Sequence, residues 1–182
     1  MKVYFKDARM PAPLLWLSVG ALALLAKTKY SNDRILNDSV DIMPGMGDVP
    51  TRPKNGAVVC CGVFGWFIHT GIWLDGNIIE LRGNGLIRAI SPARFLHERS
   101  GEHIYIACDP SAKPLIQEQA IIRAAEKIFS YSEYDLIDNN CHKFVWQCLS
   151  GESQVITRFS ELNLKMSEYF KTTLAWQPIL NY

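Results

Sequence analysis

The sequence lacks a surplus of charge of either sign: 19 basic residues stand against 18 acidic ones in 182, a net charge of +1. It also lacks a basic stripe interleaved with aromatic residues, so nothing in it reaches for a phosphate backbone, and nucleic acid is excluded as a partner. The five cysteines, Cys60, Cys61, Cys108, Cys141 and Cys148, contain no C-x-x-C pair. An odd number at those spacings signals neither a disulfide framework nor a zinc ribbon; no metal and no cofactor are expected, and at least one thiol is free. There is no internal repeat and no low-complexity tract. With 48% hydrophobic and 20% charged residues, the chain is neither disordered nor fibrous, and it holds enough apolar sequence for one packed domain plus appendages.

The longest uncharged run is residues 10–26, seventeen residues between Arg9 and Lys27, at the lower limit of what spans a bilayer. A buried core helix or a secretory h-region would share that pattern; the expectation adopted is an N-terminal hydrophobic anchor over residues 1–30 and a membrane-associated protein. Its orientation stays open, because Lys2, Lys6 and Arg9 precede the run while Lys27, Lys29 and Arg34 follow it. Residues 31–53 are polar, are punctuated by Pro44, Gly45, Gly47, Pro50 and Pro53, and read as a linker.

From residue 57 the texture changes to β-branched and aromatic runs at 57–63, 66–74, 78–82, 86–90 and 103–108, spaced as an antiparallel meander. Adjacent Cys60 and Cys61 point to opposite faces of a strand, as small buried hydrophobes. Pro114 opens a predicted helix with an apolar stripe of Leu115, Ile121, Ile122, Ala125, Ile128 and Phe129. A second helix is predicted over residues 141–149, with Asn139 or Asn140 as N-cap and Gly151 just past its end. Cys141, Val145 and Cys148 share its buried face, while His142, Lys143 and Gln147 point away. The tail, residues 152–182, is rich in aromatics, and the pattern leaves open whether it packs on the domain or on a membrane. The class is α+β: a small antiparallel sheet with packed helices.

Asp75-Gly76 between two β runs is the strongest short hairpin signal, a two-residue type I′ turn. Pairing Leu74 with Asn77 sets Trp73 opposite Ile78, Gly71 opposite Glu80 and His69 opposite Arg82. His69, Gly71, Trp73, Glu80 and Arg82 then share a face, and Glu80 is a diagonal neighbour of His69 at roughly 7–8 Å, within reach of a long side chain. Gly71 leaves the space for that carboxylate. A histidine with a carboxylate beside it is half of a thiol-activating device, since the carboxylate fixes the tautomer and stabilises the imidazolium. Cys141 supplies the other half, because aligned N–H groups at a helix N-terminus lower a thiol pKa. The expected roles are Cys141 as nucleophile, His69 as general base and acid, and Glu80 as orienting group. Singly, each has an ordinary alternative: a packed histidine, a buried thiol, a cross-strand ion pair of Glu80 with Arg82. His142 is a poor base for the thiol, because helix neighbours are about 100° apart. His97 and His103 have no motif around them.

The segments at 55–59, His69-Thr70-Gly71-Ile72-Trp73-Leu74, Ile78-Ile79-Glu80, Asn139-Asn140-Cys141-His142-Lys143-Phe144-Val145 and Ser150-Gly151 together resemble the lecithin:retinol acyltransferase-like group, the circularly permuted branch of the NlpC-type papain-fold peptidases. The resemblance covers residues 54–151. It implies a circularly permuted papain-like (NlpC-type) catalytic domain, with the family's base on His69, its polar orienting residue on Glu80 and its nucleophile on Cys141. Glu80 stands where the family has a second histidine, and His142-Lys143 where the acyltransferases have Glu-His; both departures resemble bacterial amidase or peptidase members. The implied function is a cysteine hydrolase (amidase, thiol protease) or acyltransferase acting on a peptide, peptidoglycan or lipid acyl substrate. The alternative is an inactive membrane-tethered binding module of the same fold.

Overall fold

A computed structural model describes residues 39–63, 67–97 and 99–180, all within one compact unit. Among the described residues are seven strands: β1 (Val40–Ile42), β2 (Val58–Val63), β3 (Phe67–Leu74), β4 (Asn77–Leu81), β5 (Ile87–Ile90), β6 (Tyr105–Cys108) and β7 (Leu174–Pro178). Four helices accompany them: α1 (Pro92–Leu96), α2 (Glu118–Ala125), α3 (Cys141–Ser150) and α4 (Phe159–Phe170). The fold is α+β on a single sheet of order β1-β7-β6-β2-β3-β4-β5.

The four strands β2 to β5 form the expected antiparallel meander. β6 leaves it and returns to the far edge of β2, where Val59 pairs with Ile106. β7 runs antiparallel to β6, and β1 lies parallel to β7, the one parallel pair in the sheet. β2 is buried on both faces, Val58, Val59, Cys60 and Cys61 all being inaccessible, which is why its sequence reads as a continuous apolar run rather than an alternation.

One face of the sheet, with Val58, Cys60, Ile72, Ile79 and Leu81, packs with Ala120 and Ala124 of α2, Val145 and Leu149 of α3, and Leu162 and Met166 of α4. On the other, Val59, Cys61, Trp73, Ile78 and Ile106 pack with Phe95 of α1.

Two expectations are corrected, and the open question of the tail is answered. The stretch expected as a linker supplies β1, and Thr51 pairs with the chain beyond β7, its N–H donating to Pro178 O at 2.8 Å and its carbonyl accepting from Leu180 N at 2.9 Å. A three-residue strand among prolines and glycines has no period to read; it exists because β7 is there to pair with. The tail packs on the domain, with Leu162, Met166, Leu174 and Trp176 fully buried.

The first helix does not open at Pro114. Residues 114–116 add bridges to the sheet, Pro114 to Cys108 and Ile116 to Ala57, and α2 starts only where the Gln117 side chain accepts from Gln119 N. Its buried face is Ala120 and Ala124, whereas Ile122 and Phe129 of the expected stripe are exposed. Small residues let α2 lie close to α3, and Arg123 donates from it to the carbonyls of Cys148 at 2.8 Å and Leu149 at 3.0 Å. Those are carbonyls that a helix C-terminus leaves without partners, and Gly151 ends α3 with φ 82°.

The 10–26 run and its expected anchor helix lie outside the described residues. Among the described residues no helix is long and apolar enough to cross a membrane.

Candidate active site

Asp75 and Gly76 have φ of 47° and 76°, as a two-residue type I′ turn demands. Asn55 holds the turn, donating to Asp75 Oδ1 at 2.6 Å and accepting from Asp75 N at 2.8 Å. The resulting register, Trp73 opposite Ile78 and Leu74 opposite Asn77, is the one computed from sequence. It brings His69 of β3 and Glu80 of β4 together, with His69 Nε2 2.8 Å from Glu80 Oε2.

The space at Gly71 serves a different neighbour from the one expected. A Cβ there would lie 2.6 Å from an Ile78 methyl and 2.8 Å from Ile79 O, with the Phe95 ring next at 3.5 Å. Gly71 thus lets Ile78 and Phe95 close in, and Phe95 lies under His69 with ring centroids 5.2 Å apart.

Glu80 is inaccessible to solvent, and two arginines absent from the sequence-level reading hold it. Arg88 of β5, directly opposite in register, meets Oε1 through Nε at 2.9 Å and Nη2 at 2.8 Å; Arg99, beyond α1, meets Oε2 at 2.7 Å. Arg99 also donates to Phe95 O and stacks its guanidinium 4.7 Å above the Phe95 ring. Burial alone would raise the Glu80 carboxyl, but the His69 hydrogen bond, the His69 and Arg99 charges and the Arg88 hydrogen bond hold it at about 2. Both oxygens are therefore fixed, and the group beside His69 is a carboxylate anion.

Cys141 opens α3. The Asn140 side chain caps the helix, accepting from His142 N at 2.9 Å and Lys143 N at 3.0 Å, and donates to Leu136 O at 2.9 Å and Thr157 O at 3.2 Å. The thiol is buried, 4% exposed. Burial alone would push it up; the imidazoles of His142 and His69 override that and hold it well below its ordinary value. The His69 ring and the Cys141 sulfur act on each other electrostatically, and Nε2 is the ring nitrogen engaged by Glu80. Burial would lower the His69 imidazole, yet the Cys141 sulfur and then Glu80 outweigh it and raise it. This is the electrostatics of a thiolate–imidazolium pair. The other four cysteines go the opposite way: burial pushes Cys60 up, Cys61 and Cys148 to about 12 and Cys108 to about 11.

His142 is the second correction at this site. It does not point away but is buried, with Nδ1 3.1 Å from Thr70 Oγ1 and 3.9 Å from Cys141 Sγ. The helical wheel misjudged it because side chains of a first turn lean toward the helix N-terminus. There Thr70, on the strand face opposite His69, receives the ring. Tyr134 was also missed. Burial, followed by the nearby Cys141 sulfur, raises its phenol. Arg88 was readable as a cross-strand partner once the second hairpin's register was known; nothing local marks Arg99, Thr70 or Tyr134.

Fold and site together define an α+β protein with an acidified thiol at a helix N-terminus, flanked by two histidines. The family model for lecithin retinol acyltransferase matches residues 96–154, a span that contains Arg99, Tyr134, Cys141 and His142, and it supports a lecithin retinol acyltransferase-like family for this chain. That family is one of thiol-dependent acyltransferases and hydrolases. No curated protein matches the chain.

Proposed function

We propose that the protein is a thiol-dependent hydrolase or acyltransferase that opens an amide or ester bond through Cys141, His69 and Glu80. The observation that carries the proposal is the placing of Cys141 at the start of α3, its sulfur 3.9 Å from His142 Nδ1, on a domain whose strand histidine, His69, is held at 2.8 Å by the buried Glu80; in keeping with it, of five buried cysteines Cys141 alone is shifted below its ordinary value. The Cys141 thiolate attacks the carbonyl carbon, and the oxyanion is taken by the Cys141 backbone N–H at the start of α3. Collapse expels the amine or alcohol, which takes a proton from the His69 imidazolium and leaves a thioester. Water, or a lipid amine or hydroxyl, then attacks the thioester and gives its proton back to His69, and the thiolate returns. Glu80 keeps the ring in the required tautomer throughout.

The order along the chain, histidine strand before cysteine helix, fits a circularly permuted papain-like scaffold of NlpC type. The substrate class is a peptide, peptidoglycan or lipid acyl group, and the uncharged 10–26 run tethers the enzyme to a membrane. An inactive binding module of the same fold would have no use for an acidified thiol, and Glu80 keeps its hydrogen bond to His69 despite its two arginines.

Iodoacetamide labelling across pH, with Cys141→Ala as control, tests the proposal. Cys141 is expected to react well below pH 8 while the other four thiols stay slow. A Cys141 that is inert while another cysteine labels first refutes it.

A further inference from the structure

We propose that His142 is a second catalytic imidazole at the Cys141 sulfur, one that holds the resting thiolate while His69 alone carries the proton to the leaving group; the inference rests on the hydrolase or acyltransferase reading above. Two rings meet one sulfur, but their other partners differ in kind. His69 is backed by the Glu80 carboxylate at 2.8 Å, an anion that favours a charged ring. His142 Nδ1 is shared between a neutral hydroxyl, Thr70 Oγ1 at 3.1 Å, and Cys141 Sγ at 3.9 Å. A hydroxyl locates the ring without stabilising a positive charge on it. An N–H shared between that hydroxyl and a sulfur anion favours the anion.

The ring is also held in place. Its backbone N–H is capped by Asn140 Oδ1 at 2.9 Å, and Phe159 of α4 flanks it with centroids 5.8 Å apart. The other ionisable groups at the sulfur are Tyr134 from the preceding loop and Cys61 from β2, with Glu80 and Arg99 behind His69. None of these supplies a second imidazole. The division of labour is between preparing the nucleophile and moving the proton, and it places both tasks on adjacent strand residues, because alternation sends Thr70 to His142 and His69 to Glu80.

The test uses the full chain in detergent, with iodoacetamide labelling of Cys141 against pH, hydrolysis of p-nitrophenyl butyrate, and thermal melts. An asparagine amide reaches the position of Nδ1, whereas a glutamine amide reaches that of Nε2. His142→Gln is therefore expected to move the labelling midpoint up by about one pH unit, a tenfold loss of thiolate on the acid side, and to regain ester turnover at higher pH. His142→Asn should recover most of the shift. His69→Gln should also raise the labelling midpoint, since both imidazoles hold the thiol down, but should lose turnover at least about 100-fold at every pH, without the recovery at higher pH. Equal shifts in His142→Asn and His142→Gln, or wild-type profiles in both, overturn the inference alone. A wild-type Cys141 that labels only above pH 8 overturns the underlying function and the inference together.

Discussion

Replacing Glu80 with glutamine removes one charge and no volume, and the structure assigns it a large cost. An exposed strand carboxylate would contribute little to stability. The carboxylate is instead inaccessible and holds Arg88, Arg99 and His69 within 2.9 Å. Its pKa falls from 4.5 to about 2, which corresponds to about 3 kcal/mol of stability at neutral pH. Removing one partner of a buried ion pair costs about the same, 3–5 kcal/mol.

Because the folded value is the lower one, this stability is fully present above about pH 4.5 and is lost as the pH falls through about 2. At pH 7, Glu80→Gln should lower Tm by about 6–12 °C in a domain of this size, and the gap from wild type should narrow steadily below pH 4.5. Calorimetric or circular-dichroism melts from pH 3 to 7 at one scan rate read both effects. The alkaline limb of ester hydrolysis should also move to lower pH, since the His69 imidazolium loses its anion. A Glu80→Gln protein that melts within a degree of wild type would refute the account of the clamp.

Asn140→Ala removes the cap of α3, which should cost about 1 kcal/mol, seen as a Tm fall of about 2–4 °C, and should move the Cys141 labelling midpoint upward as the helix N-terminus frays. Trp176→Ala empties a fully buried site that also holds Asn163 Oδ1 at 3.0 Å; the expected loss is about 3–5 kcal/mol, measured by denaturant midpoint. Deleting residues 1–34 should leave a cooperative melt and unchanged Cys141 labelling, because residues 35–182 form a compact unit of their own; a broad, non-cooperative melt would contradict this.

The central hairpin was legible because Asp75-Gly76 admits one register, and one register suffices to set His69 beside Glu80. The start of α3 was legible for a similar reason, since Asn140 and Gly151 bracket it with recognised caps. What escaped was whatever depends on segments distant in sequence. β1 has no period of its own and takes shape against β7, 132 residues downstream where Thr173 Oγ1 meets Asp41 at 2.5 Å. Arg99 reaches Glu80 across α1, and Thr70 receives His142 across 72 positions of chain. The apolar pattern of α2 misled because its face toward α3 is built from Ala120 and Ala124, so the larger Ile122 was left outside.

The place of β7 between β6 and β1 bears on how the chain acquires this structure as it is made. His69, Glu80 and Cys141 have all been synthesised by the time Gly151 emerges, yet the sheet then ends at β6, whose Tyr105–Cys108 backbone is an open, apolar edge. Such an edge is a template for another chain. Helix α4, which buries Leu162 and Met166, is also still missing. A ribosome that stalls between Gly151 and Leu174 would therefore present Cys141 on an adhesive half-sheet, and a fragment cut at that point should aggregate through β6 although His69, Glu80 and Cys141 are all in it.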